Sequence, residues 1–216
     1  MKYNTILFDL DGTLLYTLED LADSINYMLA KYNLPTHTID DVRRFVGNGL
    51  RMLVVRALPE GENYKDFDKF LSEFIEYYNT HNLIKTKPYD GIMEVTEKLS
   101  SLGIKMAIVT NKGQTASESL LKDFFEPNIK IVVGDDGTHK RKPDPEPVNI
   151  ALDKLGVTDK SQVLYVGDSE VDAATGEAAG VDYVLCTYGF RDMDDLAAFK
   201  PVAFIDHISK LLDIVI

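Results

Sequence analysis

The sequence predicts an α/β fold: a Rossmann-like three-layer core around a parallel sheet, with a block of helices inserted after the first strand. From Pro88 onward, short apolar runs alternate with amphipathic stretches, the pattern of βα units feeding a parallel sheet. Between the first apolar run and that alternation, residues 15–85 carry apolar positions only at helical spacing. Three of the predicted strands also end in polar residues, and ligands of open α/β sheets sit outside the carboxyl ends of the strands.

Ile6-Leu7-Phe8 is the first strand, and it delivers Asp9 and Asp11 to a turn at Gly12. Side chains alternate along a strand, so residues i and i+2 face one way, roughly 6–7 Å apart. The two carboxylates therefore face one site, unless the turn has already begun; an Asx turn at Asp11-Gly12 with Asp9 as a capping group is the structural alternative. Leu18, Leu21, Ala22, Ile25, Met28 and Leu29 line one helix face, Thr17 to Asp20 fits a capping box, and Pro35 closes the helix. A second helix around Val42, Phe45 and Val46 breaks at Gly47-Asn48-Gly49. A third runs from Leu50 to Pro59, and a fourth from Tyr64 to His81.

The core then reads helix 92–102, strand 104–109, helix 115–124, strand 129–133, helix 147–155, strand 163–166, helix 171–179 and strand 183–186. Helices around a short strand near Val202 complete it. The core is thus expected at 1–14 and 86–216, and the insertion at 15–85.

Composition narrows the function classes. Lys+Arg number 23 against 35 Asp+Glu, a net charge of −12, and such a surface repels nucleic acid and anionic lipid. The single Cys186 excludes an intrachain disulfide and a cysteine-based zinc site, and its apolar context makes it a small core residue. No apolar run is long enough to cross a bilayer and no signal-peptide pattern opens the chain, so we expect a cytoplasmic protein with no membrane partner. His37, His81, His139 and His207 show no metal spacing and are expected at the surface.

The second core strand ends in Thr110-Asn111-Lys112, whose hydroxyl and amide can donate to an anion or, alternatively, cap the next helix. The fourth ends in Gly167-Asp168-Ser169-Glu170-Val171-Asp172. In Lys140-Arg141-Lys142-Pro143-Asp144-Pro145 the first two cations, with His139, read as a solvated face, whereas Lys142 is restricted by Pro143. Two like charges 4 Å apart cost about 4 kcal/mol at an effective dielectric of 20, so Asp9, Asp11, Asp168 and Asp172 need cations to share a rim. Lys142 supplies one, and an all-oxygen cluster favours a hard divalent ion, Mg²⁺ before Ca²⁺ or Mn²⁺.

These stretches, Asp9-Leu-Asp-Gly-Thr13, Thr110, Lys142-Pro-Asp-Pro145 and Gly167 to Asp172, together resemble the four ordered motifs of the haloacid dehalogenase superfamily. The resemblance covers nearly the whole chain and makes the insertion a cap. Within the superfamily the chain looks most like the phosphoglycolate phosphatases, through Arg43 to Leu50 and Thr110-Asn-Lys112. It implies a Mg²⁺-dependent phosphatase for a small phosphorylated metabolite, best 2-phosphoglycolate, with Asp9 as nucleophile and Asp11 as acid and base. It further implies Mg²⁺ on the Asp9 carboxylate, the Asp11 carbonyl and Asp168, with Thr110, Asn111 and Lys142 on the phosphoryl group and Asp172 behind them. A phosphosugar mutase, a pyrophosphatase or a catalytically silent binding domain could share this core. Arg43, Arg44 and Arg51 are candidates for a substrate carboxylate, and Asn48 sits at the glycine-flanked tip of the cap. The hinges are expected at Leu15-Tyr16 and Lys87-Pro88-Tyr89.

Overall fold

A computed structural model describes residues 2–216. Its main sheet has six strands: β1 (Thr5–Phe8), β4 (Lys105–Gly113), β5 (Val132–Asp135), β6 (Val163–Gly167), β7 (Asp182–Cys186) and β8 (Ala203–Ile205), in the order β5-β4-β1-β6-β7-β8. All neighbours are parallel. β1 lies at the centre, with Phe8 opposite Ile108 on one side and Val166 on the other. The chain builds outward to β5 on one flank, then returns to start β6 on the other. The order therefore reverses beside β1, where such sheets leave a crevice.

Period-2 alternation divides the apolar residues between two faces. Ile6, Phe8, Ile108 and Val166 pack with α5 (Ile92–Ser101), α6 (Gln114–Leu120) and α10 (Lys210–Val215). Leu7, Val109 and Tyr165 pack with α7 (Glu146–Leu155), α8 (Glu170–Ala179) and α9 (Met193–Leu196). These are the three expected layers. Cys186 lies in the first of the two packed faces, where burial pushes its thiol pKa up and keeps it inert.

Residues 15–85 are built as expected in kind, with shifts at the ends. They comprise β2 (Leu15–Tyr16), α1 (Leu18–Lys31), α2 (Ile39–Phe45), α3 (Gly49–Ala57) and α4 (Phe67–His81). These helices share their own apolar cluster, joined by Phe190 from the loop after β7. α4 begins three residues later than its periodicity suggests, because Gly61–Asn63 form a 3₁₀ turn that accepts the Tyr64 amide. The capping box at Thr17 does not form. Thr17 is already helical (φ −106°, ψ −1°), and the Asp20 carboxylate turns instead to the backbone amides of Lys85 and Thr86 at 2.9–3.1 Å.

Asp20 thereby ties the first helix of the block to the strand that leaves it. That strand, β3 (Lys87–Pro88), pairs antiparallel with β2, so the two crossings lie side by side. Asp20→Ala would orphan two amides, one of them buried, that now donate to a charge; we expect a loss of about 2–3 kcal/mol, measurable by urea unfolding. Among the described residues, no helix is long and apolar enough to cross a membrane.

Candidate active site

The carboxyl ends of β1, β4 and β6 converge on a cavity of about 50 Å³, room for a few water molecules. Asp9, Asp11, Thr110, Asn111, Lys142 and Asp168 all line it, with Leu21, Val46, Gly47, Gly49, Leu50 and Leu53 of the helical block opposite.

β1 pairing continues one residue past its end, the Asp9 amide donating to the Val166 carbonyl at 2.9 Å. The turn then begins at Leu10, whose carbonyl accepts the amides of Thr13, Leu14 and Leu15. Gly12 has φ +89°, and a Cβ there would lie 2.4 Å from Asp168 Oδ2, so both conformation and space require glycine. The turn does not separate the two carboxylates, which remain on one cavity.

Asp168 follows β6. Its Oδ2 accepts the Phe190 amide at 2.7 Å and its Oδ1 the Thr13 hydroxyl at 3.1 Å. Asp172 belongs to a capping box at the start of α8: its Oδ2 accepts from the Ser169 amide and hydroxyl, while Ser169 Oγ accepts the Asp172 amide. Asp172 Oδ1 faces Lys142 Nζ at 2.8 Å. The same ammonium lies 2.8 Å from Asp9 Oδ1 and donates to the Tyr165 hydroxyl at 3.0 Å. Lys142 is thus aimed by β6 and α8 rather than by its own loop.

Oxygens of Asp9, Asp168 and Asp172 all lie within 4.8 Å of one another, and among the described residues Lys142 is the one ammonium paired to any of them. The three do not share it equally. Burial opposes ionisation of Asp172, but Lys142 and the Ser169 donors outweigh burial and hold its pKa below the usual value. Asp9 is pushed up to about 7 by burial and then by the Asp172 charge, and Asp168 is pushed well up by burial, Asp172 and Asp9. Asp9 and Asp168 therefore resist ionisation unless more positive charge is brought to them. An all-oxygen donor set short of positive charge fits a hard divalent cation, and Asp172, whose charge Lys142 already meets, stands behind it.

Asn111 lines the cavity, but its amide is committed. Oδ1 accepts the Lys142 amide at 2.9 Å, and Nδ2 donates to the carbonyls of Lys142 and Gly47. It pins the lysine loop to the helical block, which leaves its side chain without a spare donor for a phosphoryl oxygen. The alternative, that Thr110 and Asn111 cap a helix, is excluded: β4 runs on to Gly113, which is itself the cap of α6.

None of the block's polar candidates reaches the cavity. Arg43 donates to the Phe190 carbonyl and pairs with Asp192, Arg51 pairs with Glu62 over the Phe67 ring, and Asn48 accepts from Arg56. Arg44 lines a separate surface hollow. Of the expected solvated face, Arg141 pairs with Asp135 at 2.6 Å, and the His139 side chain is only 9% exposed, bonded to the Gly134 carbonyl.

Two further cations line the cavity, neither given a role by the motifs. Lys112, with a side chain 2% exposed, lies 3.2 Å from Asp11 Oδ1 and donates to the Tyr78 hydroxyl at 2.6 Å. Burial alone would lower its pKa; Asp11 and Tyr78 hold it above the usual value. Arg191 pairs with Glu170 at 2.8 Å and donates to the Arg43 and Val46 carbonyls, bridging core and block. The strand-end rule points to both: Lys112 stands at the end of β4, and Phe190-Arg191 follow the end of β7.

The haloacid dehalogenase-like hydrolase family model matches residues 6–186. A phosphoglycolate phosphatase of Pseudomonas putida is 36% identical over 214 residues, 96% of this chain and 78% of that protein. An N-acetylmuramic acid 6-phosphate phosphatase of Pseudomonas aeruginosa is 31% identical, covering 99% and 95%. The crystal structure of a predicted phosphoglycolate phosphatase from Haemophilus somnus superposes with a TM-score of 0.92 at 31% identity, covering 100% and 99%. With its motif carboxylates gathered at the switch point of the sheet, the chain belongs to the haloacid dehalogenase-like hydrolases.

Proposed function

We propose that this chain is a Mg²⁺-dependent phosphomonoesterase working through an aspartyl-phosphate, with 2-phosphoglycolate as first-choice substrate. The observation that carries the reading is the convergence of Asp9, Asp11, Thr110, Lys142 and Asp168 on one cavity roofed by the helical block. Phosphoryl transfer asks for little else than an in-line nucleophile, a proton donor and positive charge around the phosphoryl oxygens.

Asp9 attacks phosphorus, and its O–P bond forms as the P–O bond to the leaving group breaks. Asp11 gives its proton to the departing oxygen. It then takes a proton from the water that attacks the phosphorus of the aspartyl-phosphate, which frees Asp9 and releases phosphate. The Thr110 hydroxyl and the Lys142 ammonium hold the phosphoryl oxygens through both steps. Mg²⁺, held by an Asp9 carboxylate oxygen, the Asp11 backbone carbonyl and Asp168, would supply further neutralisation of the phosphoryl charge. Residues 15–85 act as the cap, hinged at the paired β2 and β3, and shut water out during transfer.

The small cavity supports a small leaving group. The relative named for N-acetylmuramic acid 6-phosphate keeps a larger sugar phosphate as the second reading. A panel of phosphorylated metabolites, with p-nitrophenyl phosphate and with or without Mg²⁺, separates the two. We expect Mg²⁺-dependent turnover, with the highest kcat/KM on 2-phosphoglycolate. A sugar phosphate preferred by more than about tenfold would overturn the substrate, and absence of metal-dependent turnover throughout would favour a binding domain.

A further inference from the structure

Tyr78 sits on α4, fully buried in the apolar cluster of the helical block and stacked on Phe74. Its hydroxyl nevertheless leaves that cluster to accept a hydrogen bond from Lys112 Nζ of the core at 2.6 Å. Lys112 in turn reaches Asp11 Oδ1 at 3.2 Å. Three side chains thus connect the block to the carboxyl group that the proposed reaction uses as its proton donor.

Lys112 has no other charged partner among the described residues. The cation at the nucleophile is a different one, since Lys142 serves Asp9 and Asp172. An ammonium this buried is costly unless its donors are satisfied, and one of its two side-chain partners belongs to the block. When the block moves away, Lys112 loses the Tyr78 hydroxyl and its shielding from water, and with them the reason to stay on Asp11. With the block in place, Lys112 occupies Asp11 Oδ1 and leaves Oδ2 for the proton that goes to the leaving oxygen.

We infer that Tyr78, acting through Lys112, is a positioning residue that sets Asp11 for proton donation only when the helical block is shut over the core. The inference rests on the phosphatase reading above. Its mark is a dependence on the leaving group. An alkoxide needs a proton as it departs, whereas p-nitrophenolate leaves without one. A merely structural role for Tyr78 would weaken both reactions alike.

The test is Tyr78→Phe, which deletes one oxygen, with Lys112→Gln beside it. For each protein, kcat/KM is measured on p-nitrophenyl phosphate and on the best alkyl phosphate of the panel; this ratio reports steps up to leaving-group departure. We expect the alkyl-to-nitrophenyl ratio of kcat/KM to fall about tenfold in Tyr78→Phe and further in Lys112→Gln. Melting temperatures identify any loss of fold, and Tyr78→Phe alone decides if Lys112→Gln does not fold. An unchanged ratio, whether or not both rates drop, overturns the relay while leaving the phosphatase reading intact. A wild-type protein without Mg²⁺-dependent turnover overturns both.

Discussion

Asp9→Asn is expected to lower kcat by about 10⁴-fold or more while leaving the fold in place. An amide cannot attack phosphorus, and neither buried neighbour can take over: Asp172 is held by Lys142 and Ser169, and Asp168 by Thr13 and Phe190. Asparagine keeps the shape of the side chain. It also removes a charge that burial and Asp172 already oppose, having pushed the Asp9 pKa up to about 7. Lys142 retains Asp172 as a counter-charge in the variant. Steady-state turnover and circular dichroism on the same preparation check both halves, and substantial residual activity would mean that the nucleophile is misassigned.

Asp168→Asn should separate stability from metal response. Without divalent metal, the variant is expected to be more stable than wild type by about 1–3 kcal/mol, because it relieves the crowding of Asp168 against Asp172 and Asp9. The amide oxygen can still accept the Phe190 amide, and the Thr13 hydroxyl can rotate to meet the new NH₂. Mg²⁺ at a hundred times its dissociation constant should then stabilise wild type by about 2.7 kcal/mol, read as a higher melting temperature, and leave the variant unmoved. Several kcal/mol of charge stabilisation would be lost with the metal, so turnover should fall about 10³-fold. A variant that is less stable without metal, or still stabilised by Mg²⁺, would contradict the assignment of Asp168 to the metal.

The parallel core was legible because two simple periods decide it. Ile6, Leu7 and Phe8 divide between the two faces of the sheet as alternation requires, and the helical residues of α1 bury the face their spacing names. Asp9, Asp11 and Asp168 were legible as neighbours because they follow strands that the fold must bring together. What the sequence could not foresee are side-chain partners set by the tertiary fold. The Thr17 capping box lost to the Lys85 and Thr86 amides, some sixty residues away. Asn111 is spent on Lys142 and Gly47. The arginines near the tip of the block turned to Asp192, Glu62 and the Phe190 carbonyl, which local spacing cannot foresee. Tyr78 read as core because its ring is core; only its hydroxyl crosses to Lys112.

The phosphoryl group is expected to pass through Asp9. Wild-type protein and Asp9→Asn, mixed with radiolabelled phosphoester and Mg²⁺, should be quenched in acid before steady state and mapped by peptide. The label should appear on the peptide bearing Asp9 in wild type and be absent from the variant. Turnover with no labelled protein at any quench time, or label retained in Asp9→Asn, would contradict the account.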